Sequence, residues 1–365
     1  MNLIILAALF LNFTPIGQSP TQVDWINLTQ KSYKNAIIPD IGLTPLLDQS
    51  IRTKEQWNTR KAELKEQWMN KIGVFPKKPD SLATKIDRTE TLADHKRILL
   101  SFQSDKNDRI QAYLLVPNNI NQTSKNPAVV VFHQTTKDTI KEPVGLGLNQ
   151  SLAIANHLVR RGYIVLAPEC YIMKGKGPQA QATELAKNSP ELTGMGKMTF
   201  DSSRCIDFLE THENVDPSRI GCIGFSLGAK EVLYAMAFEP RFKTGVFNEG
   251  GIGIRMSNWT DPWYLTSKMK ANIPAMEHHQ LLALIAPRPI LIMGGNSADG
   301  DSSWPFIHAT LPVYRLFDAE EKIGLINHKG KHTFPDSARE TAYQWIDHWL
   351  EHKVIKDAGI PKKSS

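Results

Sequence analysis

Cysteine is scarce in this chain of 365 residues: only Cys170, Cys205 and Cys222 occur. Three widely spaced thiols exclude a disulfide-stapled scaffold, so apolar packing must build the core, and a chain of this length has ample surface to bury. Cys222 falls inside an apolar strand pattern and reads as packing; Cys170 and Cys205 are a candidate pair. Long hydrophobic runs are also missing. The apolar stretch in MNLIILAALFLNFTPIGQSP covers about a dozen residues, too short for a stable membrane span and followed by polar, turn-forming residues. Although no Lys or Arg precedes it, residues 1–19 have the form of an export signal, which implies a periplasmic or extracellular protein. Charge of one sign is not concentrated either: Lys and Arg number 43 against 37 Asp and Glu, a net charge of +6. The basic residues are scattered and form no stripe interleaved with aromatics, which argues against nucleic-acid binding. A mild positive field still favours an acidic substrate. No glycine-rich phosphate loop is present, since GLGLNQ lies within a connection rather than directly after a strand. No internal repeat appears.

What is there is a regular alternation. Residues 20–90 are polar and mixed, with one helical stretch in which Trp57, Leu64 and Trp68 recur at helical spacing; this part reads as an N-terminal helical extension. From residue 91 to 355 short β-branched runs alternate with helical segments. Two strands at 97–103 and 109–117 form a hairpin. Six more follow at 128–133, 163–168, 219–225, 244–248, 288–295 and 322–328, separated by helices at 149–161, 200–212, 227–238, 276–285, 304–317 and 337–352. The spacing predicts an α/β fold, an eight-stranded, mostly parallel sheet with helices on both faces. In such sheets working residues sit on loops beyond the carboxyl ends of the strands.

One of those ends carries Gly224-Phe225-Ser226-Leu227-Gly228. The strand passes into the helix with no loop between, so Ser226 is forced into a sharp bend and its hydroxyl is exposed, while small residues two before and two after let strand and helix approach. Serine needs a base, itself oriented by an acid, and these are expected later in the chain at the ends of downstream strands. INHKGKHTFP offers His328 at the strand end and His332 in the loop; His332 is the favoured base and His328 a packing residue. NSADGDSSWP offers Asp299 and Asp301. Counting back from Trp304-Pro305, where proline suits the first helical turn, favours Asp301 as the acid, with Asp299 as the alternative and Glu249 ranked behind both. An oxyanion needs donors. The main-chain N–H of Leu227 is one; the loop after the third strand supplies another from Thr135 or Gln134, with His133 fixing that loop.

Together HQTTKDTIKEPVGLG, RRGYIVLAPE, IGFSLGAKEVLYAMAFEPR, NEGGIGIRMSNWTDPWY, ALIAPRPILIMGG and LINHKGKHTFP resemble the α/β-hydrolase superfamily, in its dienelactone-hydrolase-like and acetyl-xylan-esterase-like branch. The resemblance spans roughly residues 90–352. It implies a serine carboxylic ester hydrolase that needs no metal or cofactor, with Ser226 as nucleophile and His332 as base. Serine stands where dienelactone hydrolases proper have cysteine, which argues against a dienelactone substrate. Two long insertions, 169–200 and 250–276, begin at strand carboxyl ends and are expected to shape the cleft. The second holds Arg255, Trp259 and Trp263, a set that suits a sugar ring bearing a carboxylate or its ester. Glu277, His278 and His279 are not read as a metal site, because adjacent helical side chains diverge. The reading is therefore an esterase acting on a small-molecule or carbohydrate ester; the alternatives are a prolyl-oligopeptidase-like serine peptidase and a non-catalytic protein that kept the hydrolase frame.

Overall fold

A computed structural model describes residues 23–31, 33, 37–120 and 124–354. The expected export signal lies outside them. In chain order the elements are α1 (Trp25–Gln30), α2 (Lys54–Ile72), β1 (Lys85–Thr91), β2 (His95–Gln103), β3 (Arg109–Pro117), β4 (Asn126–Phe132), α3 (Ile154–Arg160), β5 (Ile164–Pro168), α4 (Pro178–Asn188), α5 (Gly194–Glu210), β6 (Val215–Phe225), α6 (Leu227–Phe238), β7 (Thr244–Asn248), α7 (His279–Ile285), β8 (Ile290–Gly294), α8 (Trp304–Leu316), β9 (Ile323–Asn327) and α9 (Asp336–Trp349).

Among the described residues nine strands form one sheet in the order β1-β2-β3-β5-β4-β6-β7-β8-β9. β1, β2 and β3 pair antiparallel and β3 joins β5 antiparallel, while β5 through β9 run parallel. The expected count of eight falls one short because of β1. Its sequence KIDRTET puts an exposed or half-exposed residue at every position, so it has no apolar alternation to read. It sits at the sheet's open edge, where charge blunts further pairing.

The parallel strands are apolar on both faces. On β4, Ala128, Val130 and Phe132 point into one core with α2, α5, α6, α7 and α8, whereas Val129 and Val131 point into the other with α1, α3 and α9. The boundary expected at residue 90 thus falls inside β1, and α2 packs in the same core as α6. α2 begins with a capping box between Thr53 and Gln56, which satisfies two otherwise orphaned N–H groups. Its buried face of Trp57, Leu64, Trp68 and Ile72 is tied down by hydrogen bonds from Trp68 Nε1 to Gln280 Oε1 (2.8 Å) and from Lys61 Nζ to the Ala286 carbonyl (2.8 Å). All three cysteines are buried free thiols, so the candidate Cys170–Cys205 disulfide is not formed.

Candidate active site

Strand register delivers the site. Phe225 of β6 pairs with Asn248 of β7, and Asn248 with Met293 of β8. The residues one step beyond, Ser226 and Glu249, therefore emerge side by side from adjacent parallel strands. Ser226 N donates to the Asn248 carbonyl at 2.9 Å and Glu249 N to that of Met293 at 3.0 Å. Both leave their strands in positive-φ conformations, Ser226 at φ 57° and Glu249 at φ 56°. Such backbone is costly for residues with a Cβ and persists only where the surroundings over-determine it.

The bend at Ser226 depends on its flanking glycines. A Cβ on Gly228 would lie 2.1 Å from the Phe132 carbonyl oxygen, and one on Gly224 would lie 2.2 Å from the Gly228 backbone. The end of β4, the end of β6 and the first turn of α6 can share this space only if both positions lack side chains. Leu227 opens α6, so its N–H is one of the first-turn donors that have no intrahelical acceptor. Next to it the β4 loop is fixed by His133. Cys170 N donates to His133 Nε2 (3.1 Å), so the proton is on Nδ1, which donates to the Gln134 carbonyl (2.7 Å). Burial holds this imidazole neutral, with its pKa down at about 4. The Gln134 side chain is engaged with Glu142.

His332 and Ser226 meet. His332 Nε2 lies 3.1 Å from Ser226 Oγ, and its ring packs against Phe225 at 4.9 Å between centroids. The carboxylate behind it is that of Glu249, with Oε2 at 3.5 Å from His332 Nδ1. Asp301, the favoured acid in the sequence, is elsewhere: it opens the short 3₁₀ turn before α8 and accepts from Asn327 Nδ2 at 3.0 Å, exposed to solvent. Asp299, the alternative, is buried, and its oxygens accept from Gly251 N (2.7 Å), Ile252 N (2.8 Å) and Ser303 Oγ (2.9 Å). The correction has a physical cause. Counting from Pro305 locates the helix start, but that start is a further turn removed from the strand end, whereas Glu249 is the first residue past β7. The signal in the sequence was NEGG: an acid immediately after a strand, followed by two glycines, in the same relation to β7 as Ser226 is to β6.

Glu249 is held as an anion. Burial opposes its ionisation, but hydrogen bonds with His332 and from the amides of Gly295, Ala298 and Asp299 outweigh that and keep its pKa below the usual range. The loop it opens is bonded along its length. Lys230 Nζ donates to Gly250 O (2.8 Å), Trp259 Nε1 to Gly251 O (2.6 Å) and His278 Nδ1 to Ile252 O (2.8 Å), while Ile254 N donates to Glu277 Oε1 (3.0 Å). His278 and Glu277 thus serve the loop, and His279 Nε2 bonds to the Thr44 carbonyl at 2.8 Å. Trp259 is fully buried beneath the Lys230 ammonium, 4.1 Å from its ring centroid, and is no sugar platform. Arg255 is exposed and Trp263 half-buried, so both remain open to a ligand. His328 takes the Gly330 N–H on Nδ1 at 3.1 Å, apart from the Ser226–His332–Glu249 line.

The sequence profile of the dienelactone hydrolase family matches residues 110–310, more than half of the chain. The chain belongs to the dienelactone hydrolase family. It is accordingly an α/β-hydrolase-fold protein and a serine carboxylic ester hydrolase. Among individual proteins it is similar to 4-O-methyl-glucuronoyl methylesterase 1 of Wolfiporia cocos, 23% identical over 88% of this chain and 83% of that one. It is also similar to the 4-O-methyl-glucuronoyl methylesterase of Hypocrea jecorina, 23% identical over 72% of this chain but only 58% of the relative. A solved glucuronoyl esterase from Solibacter usitatus superposes with a TM-score of 0.70 over 85% of this chain and 98% of its own, at 17% identity, which speaks to a shared fold.

Proposed function

We infer that this protein hydrolyses carbohydrate esters, with alkyl esters of uronic acids the leading substrate class, through an acyl-enzyme on Ser226. The observation that carries the reading is the alignment of Ser226 Oγ, His332 and Glu249 within 3.1 and 3.5 Å. Catalytic hydrogen bonds are commonly long before substrate binds. In the first half-reaction His332 Nε2 takes the Ser226 proton as Oγ attacks the ester carbonyl, and Glu249 stabilises the imidazolium through Nδ1–H. The oxyanion is held by the N–H groups of Leu227 and Thr135. His332 then protonates the departing alcohol, and the cycle repeats with water as nucleophile.

The uronate reading draws on the glucuronoyl esters acted on by the relatives, and on Arg255 and Trp263 in the segment after Glu249. In a uronate ester the sugar's own carboxyl group becomes the acyl moiety. An exposed guanidinium then suits the carboxylate released, and an aromatic ring in the same segment suits a sugar face. The expected export signal accords with a polymeric substrate outside the cell.

The test is Ser226→Ala assayed on a benzyl ester of a methyl glucuronoside and on p-nitrophenyl acetate. The kcat/KM of the variant should fall by about three to four powers of ten or more on both, and the parent should prefer the uronate ester. Undiminished turnover by the variant would refute the nucleophile; a parent inert to the uronate ester but active on acetyl esters would move the substrate class.

A further inference from the structure

Glu249 lies behind the His332 imidazole and Asp299 is cross-bonded to its loop; each of the two carboxylates belongs to one loop while being bonded by the other. Glu249 leaves the β7 loop and accepts from the amides of Gly295, Ala298 (2.7 Å) and Asp299 (3.2 Å) in the β8 loop. Asp299 leaves the β8 loop and accepts from Gly251 N (2.7 Å) and Ile252 N (2.8 Å) in the β7 loop. The exchange is reciprocal at one residue, because the backbone of Asp299 donates to Glu249 while its side chain draws in the segment that follows Glu249. A glycine lets the β8 loop fold back on its own strand end: a Cβ on Gly294 would lie 2.3 Å from the Asp299 backbone.

We propose that Asp299 is a positioning residue for the esterase reaction: it interlocks the β7 and β8 loops so that Glu249 Oε2 faces His332 Nδ1, and it acts through Glu249 without touching substrate. This rests on the reading of Ser226, His332 and Glu249 as the catalytic unit. Three donors already occupy the buried Asp299 side chain, Gly251 N on Oδ2 and Ile252 N with Ser303 Oγ on Oδ1, so it presents nothing to the imidazole. A carboxylate is required because two amides approach its two different oxygens. An asparagine has one acceptor oxygen and would set its NH₂ against a backbone N–H. The charged groups facing Asp299 are Glu249 across the loops and Lys230 from α6. Lys230 bonds to Gly250 O and to Ser257 Oγ (2.7 Å), so a basic group from α6 reaches into the β7 loop near the second buried carboxylate, its pKa pulled down to about 7 by burial.

The experiment is a double-substitution cycle in the full chain with Asp299→Asn, Glu249→Gln and both together, assayed on p-nitrophenyl acetate, with active sites counted by fluorophosphonate labelling. Asp299→Asn alone should lower kcat per labelled site by about 10- to 100-fold and leave KM within about threefold. In the Glu249→Gln background the same change should alter kcat by less than about twofold. The acid limb of the kcat/KM profile should move to lower pH in both single variants, because the imidazolium loses its oriented carboxylate; a merely structural role would reduce the count of active sites and leave that limb in place. Ser303→Ala, which removes one bond to Asp299, should give a loss of about two- to fivefold in the same direction and serves if Asp299→Asn does not fold. Full kcat in Asp299→Asn, or losses that multiply in the double variant, would overturn the proposal while Ser226→Ala and Glu249→Gln remain inactive. Full activity in Glu249→Gln would instead overturn the catalytic reading and this proposal with it.

Discussion

Glu249 and His332 face one another across 3.5 Å, yet the side chain of the first is fully buried and that of the second is 44% exposed. On the acid side, buried side chains from α6, from the second insertion and from the start of α7 take up the backbone groups of residues 250–254, and the two loop carboxylates bond each other's loops. On the base side, His332 sits between Lys331 (φ 62°) and Thr333 in a loop held by Lys331 N to Gly295 O (2.8 Å) and by local bonds such as Thr333 Oγ1 to Gly330 O (2.7 Å). The contrast matches the work that the proposed mechanism gives each group. Glu249 keeps one charge in one place, which rewards a rigid, preorganised setting. In the proposed mechanism His332 collects a proton from Ser226 and delivers it to the oxygen of the leaving alcohol, a different atom on the same tetrahedral carbon, which requires an imidazole with room to tilt.

The sharpest way to break this comparison is His332→Ala. We expect kcat to fall by about three powers of ten or more, with urea stability changed by less than about 1 kcal/mol because the side chain is half in water; a large loss of stability would show that the base side is as structural as the acid side. Next in size is His278→Ala, which removes the bonds to Ile252 O and Tyr234 OH (3.0 Å) and leaves a cavity among Trp68, Tyr234 and Trp259. Urea unfolding should give a loss of about 3–5 kcal/mol, and a loss below about 1 kcal/mol would mean the buttress is not needed.

A third prediction uses pH. Burial, together with the charge of Glu249, pushes Asp299 up to about 6 against bonds from Ile252, Gly251 and Ser303 that lower it. An acid whose folded pKa is raised contributes stability that is present below its unfolded value near 4 and is lost as pH rises through 6. Asp299→Asn has no such slope, so between pH 4 and 7 its stability relative to the parent should rise by about 2–3 kcal/mol. A constant difference across that range in urea melts would show that Asp299 is not titrating in the fold. The smallest effect is expected at Lys331→Gly, where relief of positive φ and added chain entropy offset, for a net change within about 1 kcal/mol.

The meeting of Ser226 and His332 was legible in the sequence because each follows an apolar strand, where the parallel sheet places its loops. The helices after those strands were legible for the same reason, as was the buried face of α2 from Trp57, Leu64 and Trp68. The carboxylate beside His332 was not the one favoured, because proline at the start of α8 marks a helix and not a strand end, whereas Glu249 is one step past β7. β1 escaped because an edge strand with water on both faces carries no apolar period. Trp259 was taken for a platform because an aromatic residue in an insertion gives no sign of burial; what covers it, Lys230 above its ring and His278 at 4.3 Å, comes from α6 and from the start of α7.

The most direct test of the account is a side-by-side measurement of kcat/KM for Glu249→Gln and Asp301→Asn on one ester substrate. Glu249→Gln should lose about three to four powers of ten, in the range seen when a triad acid is neutralised, and Asp301→Asn should stay within about twofold of the parent. The reverse ranking would contradict it.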